Sequence, residues 1–186
     1  MSFSFYGSVM VPLIAEIAAV AGEHKYTSAF GCGFEGVIQQ EKVLDIINAF
    51  LDGGCTQISL ADTAGHAHPE QVTALFGAIN SWGNNISLAC HFHNTYGLGL
   101  ANCYAAYKAG VTSFESAFGG MGGCPFTKVS AGNVCTEDLV SFFNKMGHWC
   151  DINSDTLTNL AINAALFFNR EPIGSLCRIK LKQEHR

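Results

Sequence analysis

Four short apolar runs, Tyr26 to Phe30, Gln57 to Asp62, Ile86 to His91 and Val111 to Ala117, recur about every thirty residues, and each is followed by a helical-period segment that stops at a glycine. Those segments are Glu41 to Asp52 before Gly53, Pro69 to Trp82 before Gly83, Leu98 to Ala109 before Gly110, and Thr136 to Met146 before Gly147. Proline fits the first position of a helix, where its missing N–H is not needed, and glycine ends one readily because it enters the left-handed backbone region. Strands alternating with helices at this spacing require right-handed βαβ crossovers, and therefore a parallel sheet.

Each run leads into a polar or glycine-rich loop: GCGFEG at 31–36, DTAGHAH at 62–68, HNTYG at 93–97 and GGMGGCP at 119–125. Loops gathered at the C-terminal ends of parallel strands are where a TIM barrel keeps its chemistry, and four βα units make half of one. The composition fits such a packed chain, with 48% apolar and 13% charged residues among 186 and a mean hydropathy of +0.21, which excludes disorder. The net charge of -5 and the lack of a basic cluster before Arg170 argue against nucleic acid. No long uninterrupted apolar stretch suggests a membrane span, so the expected partner is a small molecule. Val9 to Val20 reads as a helix, and the absence of Lys or Arg before Lys25 removes the basic region of a signal or transit peptide. Eight cysteines without a CxxC pair indicate a reducing compartment and no structural zinc site. The expected location is cytoplasmic, with the mitochondrial matrix as the eukaryotic alternative.

His91 and His93 carry the strongest chemical signal. Side chains at i and i+2 of a strand lie on one face about 7 Å apart, so both imidazoles can meet one divalent cation; a pair satisfied by internal hydrogen bonds is the other reading. Cys124 sits in a run of four glycines, Gly119, Gly120, Gly122 and Gly123, where a loop can fold over a ligand. Asp62 ends its strand, where it either caps the following turn or presents a carboxyl to a site. Asn133 reads as a turn residue ahead of a helix that Thr136 caps, with Glu137 and Asp138 favoured by the helix dipole. His68, followed by Pro69, reads as a helix-entry residue.

The segments SAFGCGFEG (28–36), ISLADTAG (58–65), CHFHNTYGLGLAN (90–102) and GGMGGCPFTKVSAGNVCTEDL (119–139) resemble, in matching order, the second half of hydroxymethylglutaryl-CoA lyase and its relatives among the metal-dependent lyases and synthases. The resemblance runs from about Glu16 to Gly147. It implies an α/β fold, a partial TIM (β/α)8 barrel of about four βα units over residues 1–169, ending in a helix and a basic tail over 170–186 expected to be poorly ordered. It further implies His91, His93 and Asn133 as ligands of Mg²⁺ or Mn²⁺, Cys124 as a proton-shuttling thiol, His91 as a participant in proton transfer, and Asp62 as a secondary catalytic candidate. The implied reaction is cleavage of 3-hydroxy-3-methylglutaryl-CoA to acetyl-CoA and acetoacetate, with an acyl-CoA as partner.

The chain also departs from the lyase pattern. Asn94 stands where many relatives have Asp, and no segment matches the first barrel strands, which in the lyases carry an Asp ligand, an adjacent catalytic Arg and a Glu; the first Arg here is Arg170. The chain alone is accordingly expected to be weak or inactive. Two alternatives are a condensing enzyme of the isopropylmalate or homocitrate synthase type, against which Gly123-Cys124-Pro125 stands, and a non-catalytic half-barrel that pairs with another half or self-associates through open sheet edges.

Overall fold

The computed structural model of the chain describes residues 28–32, 36–83, 86–123, 132–149 and 151–184. The expected Val9–Val20 helix and Cys124 lie outside the described residues. In chain order the elements are α1 (Gln40–Asp52), β1 (Gln57–Asp62), α2 (Pro69–Asn80), β2 (Ser87–Phe92), α3 (Gly99–Lys108), β3 (Ser113–Glu115), a 3-10 turn (Phe118–Gly120), α4 (Thr136–Lys145), α5 (Ser154–Phe167) and α6 (Ser175–Glu184). The strands form one parallel sheet in the order β1-β2-β3. This is the mixed α/β architecture of a partial barrel.

Alternation sorts the sheet into two faces. Ile58 and Leu60 pair with Leu88 and Cys90, and with Phe92 they join the buried cluster of Val72, Phe76 and Ile79 from α2. The other face carries small and polar side chains: Ala61 pairs with His91, and His91 with Glu115. α2 shows how the sequence selects a helix. Pro69 opens it after an extended His68, and Val72, Leu75, Phe76 and Ile79, spaced i, i+3, i+4 and i+7, are buried along one stripe.

Two of the expected strands differ. Of the Tyr26–Phe30 run, Ser28 to Phe30 are described; Ser28 makes an isolated bridge to β1, antiparallel to Asp62, and the Ala29 N–H donates to the Ala61 carbonyl at 2.9 Å. The chain bends there because Phe30 turns into the core, its ring 5.7 Å from that of Phe92 and 6.4 Å from that of Phe76. The Val111–Ala117 run contracts to Ser113–Glu115. At its start, the Val111 N–H belongs to the end of α3, donating to the Ala106 carbonyl at 3.0 Å across Gly110, whose φ is 95°. At its end, the Ala117 N–H leaves the sheet for the Val134 carbonyl at 3.1 Å.

The basic tail, expected to be loose, is instead the helix α6 over most of its length. Its first turn is capped from α4: the Ser175 and Leu176 N–H groups donate to the Asp138 carboxylate at 2.7 and 3.0 Å. Beside it, Glu137 is fully buried, accepting from the Gly119 N–H at 3.1 Å and the Cys177 thiol at 3.3 Å. It therefore works inside the fold rather than as a surface charge at a helix start. Burial drives its carboxyl above the ordinary glutamate range, against the hydrogen bonds that favour its ionised form.

This shift carries a sign. Between the unfolded and the raised folded pKa, the folded chain binds more protons than the unfolded one, so this group's contribution to stability falls as pH rises through that window. Glu137→Gln is expected to flatten that slope. Urea denaturation of both proteins across the acid-to-neutral range checks it, and parallel slopes would refute the assignment.

Candidate metal centre at the strand ends

His91 is the penultimate residue of β2 and His93 lies one residue beyond its end. Their rings face the same side, centroids 5.1 Å apart at 63°. His93 is buried and its N–H donates to the Asp62 carbonyl at 3.2 Å, which continues the β1–β2 pairing past the strand. Residues 132–134 are laid alongside this extension. The Val134 N–H donates to the Phe92 carbonyl at 3.1 Å, the Asn94 N–H to the Gly132 carbonyl at 3.0 Å, and His93 and Asn133 form an antiparallel bridge. The three residues expected as metal ligands thus meet at one end of the sheet.

The glycine segment fixes the Asn133 side chain. Its amide nitrogen donates to the Met121 carbonyl at 2.8 Å, and Gly122, at φ 88°, leaves room for it: a Cβ there would lie 2.8 Å from that nitrogen. Asn133 Oδ1 and His93 Nδ1 are both buried without a hydrogen-bond partner among the described residues. A buried polar atom left unpaired costs about 1–3 kcal/mol, so two on bridged neighbours mark a place where a positive group would be stabilised. Burial, with the adjacent His91 second, lowers the His93 pKa to about 4, which keeps its imidazole neutral and its lone pair available.

Behind His91 stands Glu115, its register partner on β3. Glu115 Oε2 lies 3.4 Å from His91 Nδ1, and the Ser59 hydroxyl donates to Oε1 at 2.7 Å. Although burial works to raise it, the neighbouring His91 ring and the Ser59 hydroxyl hold the Glu115 carboxyl below the usual range. Neither Glu115 nor Ser59 stands out in the sequence, because their meeting with His91 depends on the register of three strands.

Asp62 is not part of this group. By register it shares a face with Phe92 rather than His91, and its carboxylate accepts from the His66 N–H at 2.9 Å and the Ala67 N–H at 3.0 Å. Of the two readings its sequence position left open, the geometry shows the loop cap, fully buried and with its carboxyl raised chiefly by that burial. Asn94 likewise caps a helix, its side-chain oxygen accepting from the Gly99 N–H at 3.0 Å. His68 sits at the helix entry, 2.8 Å from Glu70.

The donor set is two imidazoles and an amide oxygen, and among the described residues no three His, Cys, Asp or Glu side chains converge on a metal position. Its buried, unpaired nitrogen and oxygen fit a divalent cation that keeps several ligand positions for other groups. Among the described residues no helix is long and apolar enough to cross a membrane.

Residues 8–163 match the HMGL-like family. The chain is 44% identical over 120 residues to (R)-citramalyl-CoA lyase of Chloroflexus aurantiacus, covering 64% of this chain and 38% of that protein. With mitochondrial hydroxymethylglutaryl-CoA lyase of Mus musculus it shares 35% identity over 181 residues, 97% of this chain and 55% of the mouse protein. Among solved structures, an HMG-CoA lyase of Acinetobacter baumannii in complex with coenzyme A and 3-methylmalate superposes with a TM-score of 0.77 at 35% identity, covering 91% of this chain and 57% of its own. The chain spans about half the length, or less, of the relatives it matches. The family match across most of the chain and the shared barrel architecture together make this chain a member of the HMGL-like family.

Proposed function

We propose that the chain contributes the His91–His93–Asn133 side of the active site of a metal-dependent carbon–carbon lyase that cleaves 3-hydroxy-3-methylglutaryl-CoA to acetyl-CoA and acetoacetate. The observation that carries this reading is the pair of unpaired buried atoms, His93 Nδ1 and Asn133 Oδ1, beside His91. The relatives named as lyases of acyl-CoA substrates, and the one solved with coenzyme A, support the substrate class.

His91, His93 and Asn133 would hold Mg²⁺ or Mn²⁺. When bound, the ion supplies Lewis acidity that lowers the pKa of the substrate's tertiary hydroxyl. The hydroxyl proton then passes to a base; His91 takes it on Nε2 only when that nitrogen is off the ion, so ligation and proton transfer are alternative uses of this side chain. As the hydroxyl carbon becomes the ketone of acetoacetate, its bond to the acetyl-CoA carbon breaks and the electron pair moves into a thioester enolate. The Cys124 thiol gives that carbon its proton. The Arg and Asp that lyases carry on other strands have no counterpart here, and a second half-barrel is the proposed source of both.

A donor set without a carboxylate leaves the cation's charge largely uncompensated, so Mn²⁺ is expected to bind the chain one to one but weakly. Paramagnetic resonance of free Mn²⁺ during titration measures this. Asn133→Ala should weaken binding further, and binding that ignores this substitution would sink the ligand assignment.

A further inference from the structure

The face of the sheet that carries His91 holds one carboxylate with no place in the mechanism above. Glu115 is the register partner of His91, and its two oxygens are divided between two neighbours: Oε2 lies 3.4 Å from His91 Nδ1 and Oε1 accepts the Ser59 hydroxyl at 2.7 Å. The three residues come from three adjacent strands, so the sheet itself fixes their spacing.

We propose that Glu115, braced by Ser59, is a positioning residue that sets the tautomer of His91. An ionised carboxylate can only accept hydrogen bonds, whereas a neutral imidazole carries one N–H and one lone pair. With the carboxylate against Nδ1, the proton resides on Nδ1 and the lone pair on Nε2. Either use of His91 in the proposed function, as a ligand or as a base, needs that lone pair on Nε2, and one excludes the other, so the proposal rests on that reading while being separately measurable. Ser59 matters because it occupies the other oxygen. Without it, the carboxylate could rotate away from the ring.

Glu115 does not serve as a ligand in its own right. Among the described residues no three His, Cys, Asp or Glu side chains converge on a metal position, and both of its oxygens are already engaged. Its effect on a cation is transmitted through His91, the arrangement in which a carboxylate behind a ligating histidine raises its basicity and fixes its ring.

The test is the tautomer itself, read by long-range proton–nitrogen correlation on the chain labelled with ¹⁵N-histidine, at a pH where imidazoles are neutral and without metal. The wild-type chain is expected to show His91 protonated on Nδ1. Glu115→Ala should shift that population towards Nε2–H, Ser59→Ala should shift it partly, and Glu115→Gln, whose carbonyl still accepts, should restore most of it. Mn²⁺ affinity should fall about 10- to 100-fold in Glu115→Ala. If no form binds Mn²⁺ yet the tautomer follows Glu115, the positioning role stands and the metal reading fails. Wild-type His91 protonated on Nε2, or a tautomer indifferent to Glu115→Ala, would overturn the proposal.

Discussion

Replacing His93 by leucine is expected to lower Mn²⁺ affinity at least about 100-fold, equivalent to about 2.7 kcal/mol, while leaving the fold as stable as before or more so. His93 is buried and its Nδ1 has no partner among the described residues. An unpaired buried nitrogen costs about 1–3 kcal/mol, and leucine removes it with an apolar side chain of comparable size. Gain of stability with loss of binding is the signature of a residue kept for a ligand. Thermal melting and Mn²⁺ titration on the same sample read both sides of this exchange. A clear loss of stability would mean that the imidazole is an ordinary satisfied part of the core.

The second large effect concerns Cys124. When the chain is mixed with a polypeptide supplying the remaining strands of a lyase barrel, Cys124→Ala should reduce acetoacetate release by at least about 100-fold, the lower end of what a positioned proton donor supplies. Assembly of the two polypeptides, followed by analytical ultracentrifugation, should be unaffected. The reason is chemical: the enolate left by carbon–carbon cleavage must be protonated at carbon, and alanine has no proton to give. Activity that survives the substitution would reassign this step to another group.

The helices were the most legible part of the chain. Pro69 and the glycines at 53, 83, 110 and 147 place four helices within two residues of their observed ends, because those residues act on the backbone locally. Strand limits were harder to read. The Val111–Ala117 run has strand-like composition throughout, yet Val111 closes the end of α3 through a local bond back to Ala106, and Ala117 turns towards Val134 in a tertiary hydrogen bond that no local pattern records. The same holds for α6, whose cap, Asp138, lies 37 residues away from Ser175.

In the site, His91 and His93 were legible because i and i+2 of a strand share a face whatever surrounds them. Asn133 came from resemblance alone, since its bridge to His93 joins residues 40 positions apart in the chain. Glu115 and Ser59 were invisible. Their contact with His91 needs the register of all three strands, and a shift of one residue in any of them would turn the side chain to the other face. Asp62 illustrates the converse: its end-of-strand position suits two roles, and only the placement of the His66 and Ala67 amides selects between them.

The most direct measurement is acetoacetate release from 3-hydroxy-3-methylglutaryl-CoA in the presence of Mg²⁺, by the chain alone and after combination with a polypeptide bearing the strands that carry the lyase Asp and Arg. The expected result is no detectable release by the chain alone and measurable release by the combination, dependent on His93. Robust turnover by the chain alone would contradict the half-site reading, and a combination that assembles with bound Mg²⁺ yet cleaves no acyl-CoA would contradict the lyase reading itself.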